Sequence, residues 1–84
     1  LTSFPEWSLS GEVLQRTFGF EDFRAAMAFV DTVADLAEDA QHHPDIMIRY
    51  AKVTLALTTH DAGGLTDRDF ELARRIDEVV SVAR

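Results

Sequence analysis

The sequence predicts an α+β fold: a two-layer, four-stranded antiparallel sheet with two helices on one face, in the order β-β-α-β-β-α. Apolar residues recur at helical spacing in two stretches, one after Asp22 and one after Thr66. Around the first of these, and between the two, apolar and polar residues alternate with the period of two that marks half-buried strands. No linker, repeat or low-complexity tract interrupts the pattern, so residues 1–84 are expected to form a single domain. Each pair of strands can close locally as a hairpin. Each helix must then return to the same core, which places both helices on one sheet face.

The elements follow in chain order. Two short strands are expected over 7–9 and 14–20, joined by a turn at Ser10-Gly11-Glu12, with Leu14, Phe18 and Phe20 on a common face. Asp22 is placed to cap a helix of about five turns. Its stripe comprises Phe23, Ala26, Met27, Val30, Val33, Ala34 and Ala37, widened by Phe29 and Leu36, while Asp31 and Asp35 fall on the solvated side. Pro44 disfavours helical backbone at His43, so the chain becomes extended there. Ile46, Ile48 and Tyr50 alternate with polar or flexible neighbours, as do Val53, Leu55 and Leu57, giving a second hairpin that turns near Tyr50-Ala51-Lys52. Thr66-Asp67-Arg68-Asp69 has the form of a capping box with Asp in the usual place of Glu, flanked by Leu65 and Phe70 as a hydrophobic staple. The second helix then carries Phe70, Ala73, Ile76, Val80 and Ala83, widened by Leu72 and Val79.

Composition narrows the function. The chain has 84 residues, a formal charge of −7 and no cysteine. Acidic residues spread along it would repel a phosphate backbone, so direct nucleic-acid binding is not expected. Without cysteine, neither disulfides nor cysteine-based zinc scaffolds are available. A core this small is expected to gain stability by self-association, as a homodimer or homotetramer. No apolar run approaches the roughly 20 residues of a membrane span, and no basic-then-apolar leader is visible, so a cytoplasmic location and no membrane partner are expected. The first residue is Leu1 rather than Met, and a short N-terminal piece is expected to precede it.

All three histidines, His42, His43 and His60, bracket the second hairpin. If that hairpin pivots about Ala51, partner numbers sum to about 102, which sets His60 opposite His42 or His43 at one end of the sheet. Imidazoles there would line one cavity, with Glu38 one helical turn before the pair and Asp61 next to His60. Histidine titrates near neutrality, so a cluster can hold one charged and one neutral ring and perform acid–base chemistry. Each histidine taken singly can equally be a structural residue. A three-histidine zinc site supported by Glu38 or Asp61 is the other chemical reading, opposed by the tendency of adjacent residues on an extended chain to point apart. Asp69 has a structural role as the third residue of the capping box. Ala62-Gly63-Gly64-Leu65 lacks the Gly-Lys-Ser/Thr of a phosphate loop and reads as a sharp turn. Trp7 and Tyr50 have the chemistry to stack on a ligand, with core and turn packing as their ordinary roles.

Glu38-Asp39-Ala40-Gln41-His42-His43-Pro44, then Tyr50, Thr59-His60-Asp61, Gly64-Leu65 and Asp69, resemble the signature of the pterin-4a-carbinolamine dehydratases. The likeness extends from Trp7 through Phe18, Phe20 and Phe23 to Leu72-Ala73. It implies a lyase that dehydrates a 4a-hydroxytetrahydropterin, such as 4a-hydroxytetrahydrobiopterin, to the quinonoid dihydropterin in support of tetrahydropterin recycling. It further implies His42, His43 and His60 as catalytic residues, Glu38 and Asp69 as supporting carboxylates, and no metal or organic cofactor; Asp61, next to His60, is a further supporting candidate by its position. An aromatic amino-acid hydroxylase is the implied source of substrate. Gln41 and Ile46 stand where animal members carry Asp and Trp. Animal members also serve as dimerisation cofactors of a homeodomain transcription factor, so a non-catalytic pterin-binding or coactivator module is the alternative reading.

Overall fold

In a computed structural model, residues 6–59 and 64–83 are described, with side chains as far as 80. His60, Asp61, Ala62 and Gly63 lie outside the described residues.

The alternating segments form β1 (Ser8–Ser10), β2 (Val13–Gly19), β3 (Asp45–Arg49) and β4 (Lys52–Leu57); the periodic ones form α1 (Phe23–Ala40) and α2 (Asp67–Ala83). The four strands make one antiparallel sheet in the order β1-β2-β4-β3. Both hairpins close locally, and β2 and β4, the strands with most buried apolar residues, pair in the middle. The expected α+β architecture is the one found.

One face of the sheet carries Leu14, Phe18, Val53, Leu55 and Leu57, which join Ala26, Phe29, Val33, Leu72, Ala73, Ile76 and Val80 of the helices in a single core. Burying these side chains is the main favourable term for so short a chain. The other face carries Gln15, Thr17, Thr54 and Ala56 and stays open.

Two details differ from the pattern of the sequence, each for a packing reason. Trp7 lies outside β1 because its indole turns into the core at 5% exposure, and its Nε1 donates to both carboxylate oxygens of Asp77 at 2.9 and 3.1 Å. The buried stripe of α1 is Ala26, Phe29, Val33 and Ala37, whereas Phe23 and Ala34 face outward. Phe29 sits 4.8 Å from the Phe18 ring and 4.9 Å from that of Phe20, and this three-ring stack sets the rotation of the helix.

Helix caps match the expected chemistry. Asp22 is the N-cap of α1, accepting from the Ala25 N–H at 2.8 Å. At the other end the chain leaves the helix at Gln41, which takes the left-handed conformation (φ 51°, ψ 43°). The Gln41 N–H donates to the Glu38 carbonyl at 3.3 Å and the His42 N–H to the Ala37 carbonyl at 3.1 Å, a Schellman-type stop. Among the described residues no helix is long and apolar enough to cross a membrane.

Candidate active site

The site lies where the end of α1, the end of β4 and the start of α2 meet. Its centre is Asp69, fully buried in the first turn of α2. As the third residue of the capping box, Asp69 accepts the Thr66 N–H on Oδ2 at 2.9 Å, as the spacing Thr66-Asp67-Arg68-Asp69 requires. The Thr66 hydroxyl in turn accepts the Arg68 N–H at 3.3 Å. Asp69 does more than cap. Its Oδ2 also receives the Thr59 hydroxyl at 2.6 Å, and its Oδ1 lies 2.6 Å from Nε2 of His42.

His42 reaches Asp69 because the left-handed turn at Gln41 reverses the chain directly after α1, and Arg68 holds that corner by donating from Nη2 to the Gln41 carbonyl at 2.5 Å. Only 9% of the His42 side chain is accessible. Burial alone would push the Asp69 carboxyl up. The hydrogen bonds from Thr59, His42 and the Thr66 N–H, with the charge of His42, outweigh that and hold it below the usual carboxylate value.

His43 points the other way. Its Nε2 lies 2.6 Å from Oε2 of Glu38, and both side chains are largely exposed, at 58% and 73%. The adjacent histidines thus have opposite surroundings, one ring against a buried carboxylate and one against a solvated one. This is the divergence expected of neighbours on an extended chain. A carboxylate beside an imidazole fixes the orientation of the ring, an arrangement that proton transfer at a histidine uses.

The residues matched by the family description "Pterin 4 alpha carbinolamine dehydratase" are 1–79, nearly the whole chain. The chain belongs to the pterin-4a-carbinolamine dehydratase family. Curated relatives provisionally named as pterin-4-alpha-carbinolamine dehydratases agree. One from Thermomicrobium roseum is 57% identical over 96% of this chain and 87% of its own length. Another, from Chloroflexus aurantiacus, is 60% identical over 95% of this chain and 86% of its own length. Among solved structures, a transcriptional coactivator/pterin dehydratase from Brucella melitensis superposes with a TM-score of 0.83 at 34% identity, covering 88% of this chain and 81% of that one. A pterin dehydratase-like protein described as a RuBisCO assembly factor in the alpha-carboxysome gives 0.70 at 25% identity, over 86% and 83% of the two chains.

Of the site residues that the dehydratase resemblance implied, the structure joins His42 to Asp69 and His43 to Glu38, as separate pairs. His60 and Asp61 lie outside the described residues, and with them the question of one pocket shared by three histidines and the zinc alternative that needs His60. The register of the hairpin differs from the expected one. Arg49 pairs with Lys52 and Asp45 with Ala56, so partner numbers sum to 101, not 102. The pairing ends at Asp45 and Ala56; beyond it, His42 and Thr59 meet through Asp69, one on each carboxylate oxygen.

Thr59 is the residue that sequence reasoning left without a role. Its signal was the turn. The hairpin closes over Tyr50 and Ala51 alone, with Tyr50 at φ 52°, and a two-residue loop implies the odd sum. Neither Asn nor Gly stands at Tyr50 to advertise that conformation.

Proposed function

We propose that this chain is a single-domain, cytoplasmic lyase that dehydrates a 4a-hydroxytetrahydropterin to the quinonoid dihydropterin by histidine acid–base catalysis. Membership of the dehydratase family supports the reaction. The observation that carries the mechanism is the 2.6 Å contact between His42 and a buried carboxylate, with a second imidazole–carboxylate pair beginning one residue later.

The chemistry is a loss of water. Hydroxide is a poor leaving group, so an imidazolium gives its proton to the 4a-hydroxyl as the C4a–O bond breaks, and a neutral imidazole takes a proton from a ring nitrogen. Water leaves, the ring system gains a double bond, and the two histidines exchange protonation states. His42, His43 and His60 are the candidates for these roles, supported by Asp69, Glu38 and Asp61. No step requires a metal or an organic cofactor. An aromatic amino-acid hydroxylase that forms the carbinolamine is the natural source of substrate, and tetrahydropterin recycling the context.

The protein is further proposed to act as a homodimer or homotetramer. In support, edge strand β3 leaves Ile46, Met47 and Ile48 at 39%, 53% and 37% exposure beside an unpaired backbone edge.

Turnover of freshly generated carbinolamine tests the reaction. The protein is expected to accelerate dehydration above the buffer rate in proportion to its concentration. A pterin-binding or coactivator module would bind an oxidised pterin and leave that rate unchanged, which would overturn the proposal.

A further inference from the structure

The hydrogen bonds around Asp69 fix which nitrogen of His42 carries its proton. Each donor at this carboxylate can be followed to its source. The Thr66 N–H has only a proton to give, and gives it to Oδ2 at 2.9 Å. Thr59 gives its one hydroxyl proton to the same oxygen at 2.6 Å. The contact of 2.9 Å between the Thr59 and Thr66 hydroxyls must then be donated by Thr66, whose oxygen is free to accept the Arg68 N–H at 3.3 Å. Every proton in the chain from Arg68 through Thr66 and Thr59 therefore points at Asp69.

A fully buried carboxyl that receives two donors on one oxygen and an imidazole on the other, and whose pKa these bonds depress, is an ionised acceptor. Its other oxygen can only accept as well. The group facing Oδ1 at 2.6 Å is therefore the Nε2–H of His42. When His42 is neutral, Nδ1 is its lone-pair nitrogen. When it is protonated, Nδ1–H is the proton free to be given, because the Nε2–H is committed to Asp69.

We propose that Thr59 is a positioning residue which, together with Thr66, orients Asp69 so that His42 reacts through Nδ1. This rests on the dehydratase reading for its kinetic consequence alone. The tautomer itself is a property of the resting protein. A wrong tautomer at a comparable His–carboxylate pair costs about 10⁴-fold in turnover, whereas Thr59, one bond further back, is expected to matter by on the order of tenfold.

The test is nitrogen-15 NMR of the imidazoles in labelled whole protein, with kinetics beside it. In the wild type above the titration of His42, Nε2 is expected to be of the protonated, pyrrole-like type and Nδ1 of the pyridine-like type. Thr59→Val should yield a mixture of tautomers and a pH–rate profile with a displaced limb, lowering kcat more than it raises KM. Thr59→Ser should restore both. Asp69→Asn, whose amide turns N–H groups toward Nε2, should move the ring to the Nδ1–H form. A wild-type spectrum with the proton on Nδ1 would overturn the proposal even if no variant folds. So would a folded Thr59→Val with unchanged tautomer and unchanged pH profile. The expected spectra without any turnover would instead leave the tautomer standing and remove the dehydratase reading.

Discussion

At the scale of single residues, Asp69 couples folding to chemistry. It caps α2 through the Thr66 N–H and holds His42 with its other oxygen. Its carboxyl is depressed in the folded state, so its contribution is fully present above the unfolded value of about 3.9 and is lost as pH falls through the lower folded value. Asp69→Ala leaves three buried or half-buried donors unmatched, and a lost cap alone costs about 0.5–2 kcal/mol. The expected loss is at least about 2 kcal/mol at pH 7 by urea denaturation. The gap to wild type should narrow as pH falls from about 3.9 towards the lower folded value; a constant gap down to the lowest pH at which the wild type folds would contradict this. Arg68→Ala removes an exposed bond to the Gln41 carbonyl and should cost less than about 1 kcal/mol. The capping role of Asp69 was legible from its three-residue spacing behind Thr66. Its bond to His42 was not derivable from that spacing, because it depends on the left-handed turn at Gln41, a residue type that does not announce such a conformation.

Among the elements, the β3–β4 hairpin decides which side chains reach the site. The alternation of Val53, Leu55 and Leu57 made β4 legible, and Pro44 made the exit from α1 legible. The register was not, since a one-residue difference in turn length shifts every cross-strand pair and changes which residues share a face. Beyond β4, Thr59 and Gly64 bond to each other in both directions, at 3.2 and 3.1 Å. Gly64 has φ +154°, and a Cβ there would stand 2.6 Å from Oε1 of Glu12. Gly64→Ala is therefore expected to lose about 1–3 kcal/mol of stability, and a Glu12→Ala change added to it should recover only the steric part. Equal stability of Gly64→Ala and wild type in thermal unfolding would contradict that strain. Edge strand β3 bears on self-association. Ile48→Lys places a charge on the half-covered face of the unpaired edge and should convert a dimer or tetramer to monomer at micromolar concentration in sedimentation. An unchanged sedimentation coefficient would place the contact elsewhere.

For the whole molecule, the constraint is size. A chain of 84 residues buries little, and a few polar clasps across the core hold its layers in place. Asp77 of α2 receives the Trp7 indole N–H and, at 2.8 Å, the Arg16 guanidinium, which also lies 4.3 Å from the centre of the Phe18 ring. Trp7 before β1, β2 and α2 are thereby tied on one side, while Arg75 and Asp39 join the two helices at 3.0 Å. Trp7→Phe keeps most of the apolar volume and loses the bond to a charged acceptor, an expected cost of about 1.5–3 kcal/mol in chemical denaturation. Because the indole bonds of Trp7 run to Asp77 rather than to Asp69 or His42, kcat of the folded variant should stay at the wild-type value. Stability and catalysis falling together would mean that this clasp also shapes the site.

Histidine acid–base catalysis of carbinolamine dehydration is the central claim, and the rate of the His42→Ala, His60→Ala double variant tests it most directly. Compared with wild type at equal concentration, and with the buffer rate subtracted because uncatalysed dehydration is appreciable, the double variant is expected to lose about 10²- to 10⁴-fold in turnover. Wild-type turnover should be unaffected by a metal chelator. Near-full activity in the double variant, or abolition of wild-type activity by the chelator, would contradict the account.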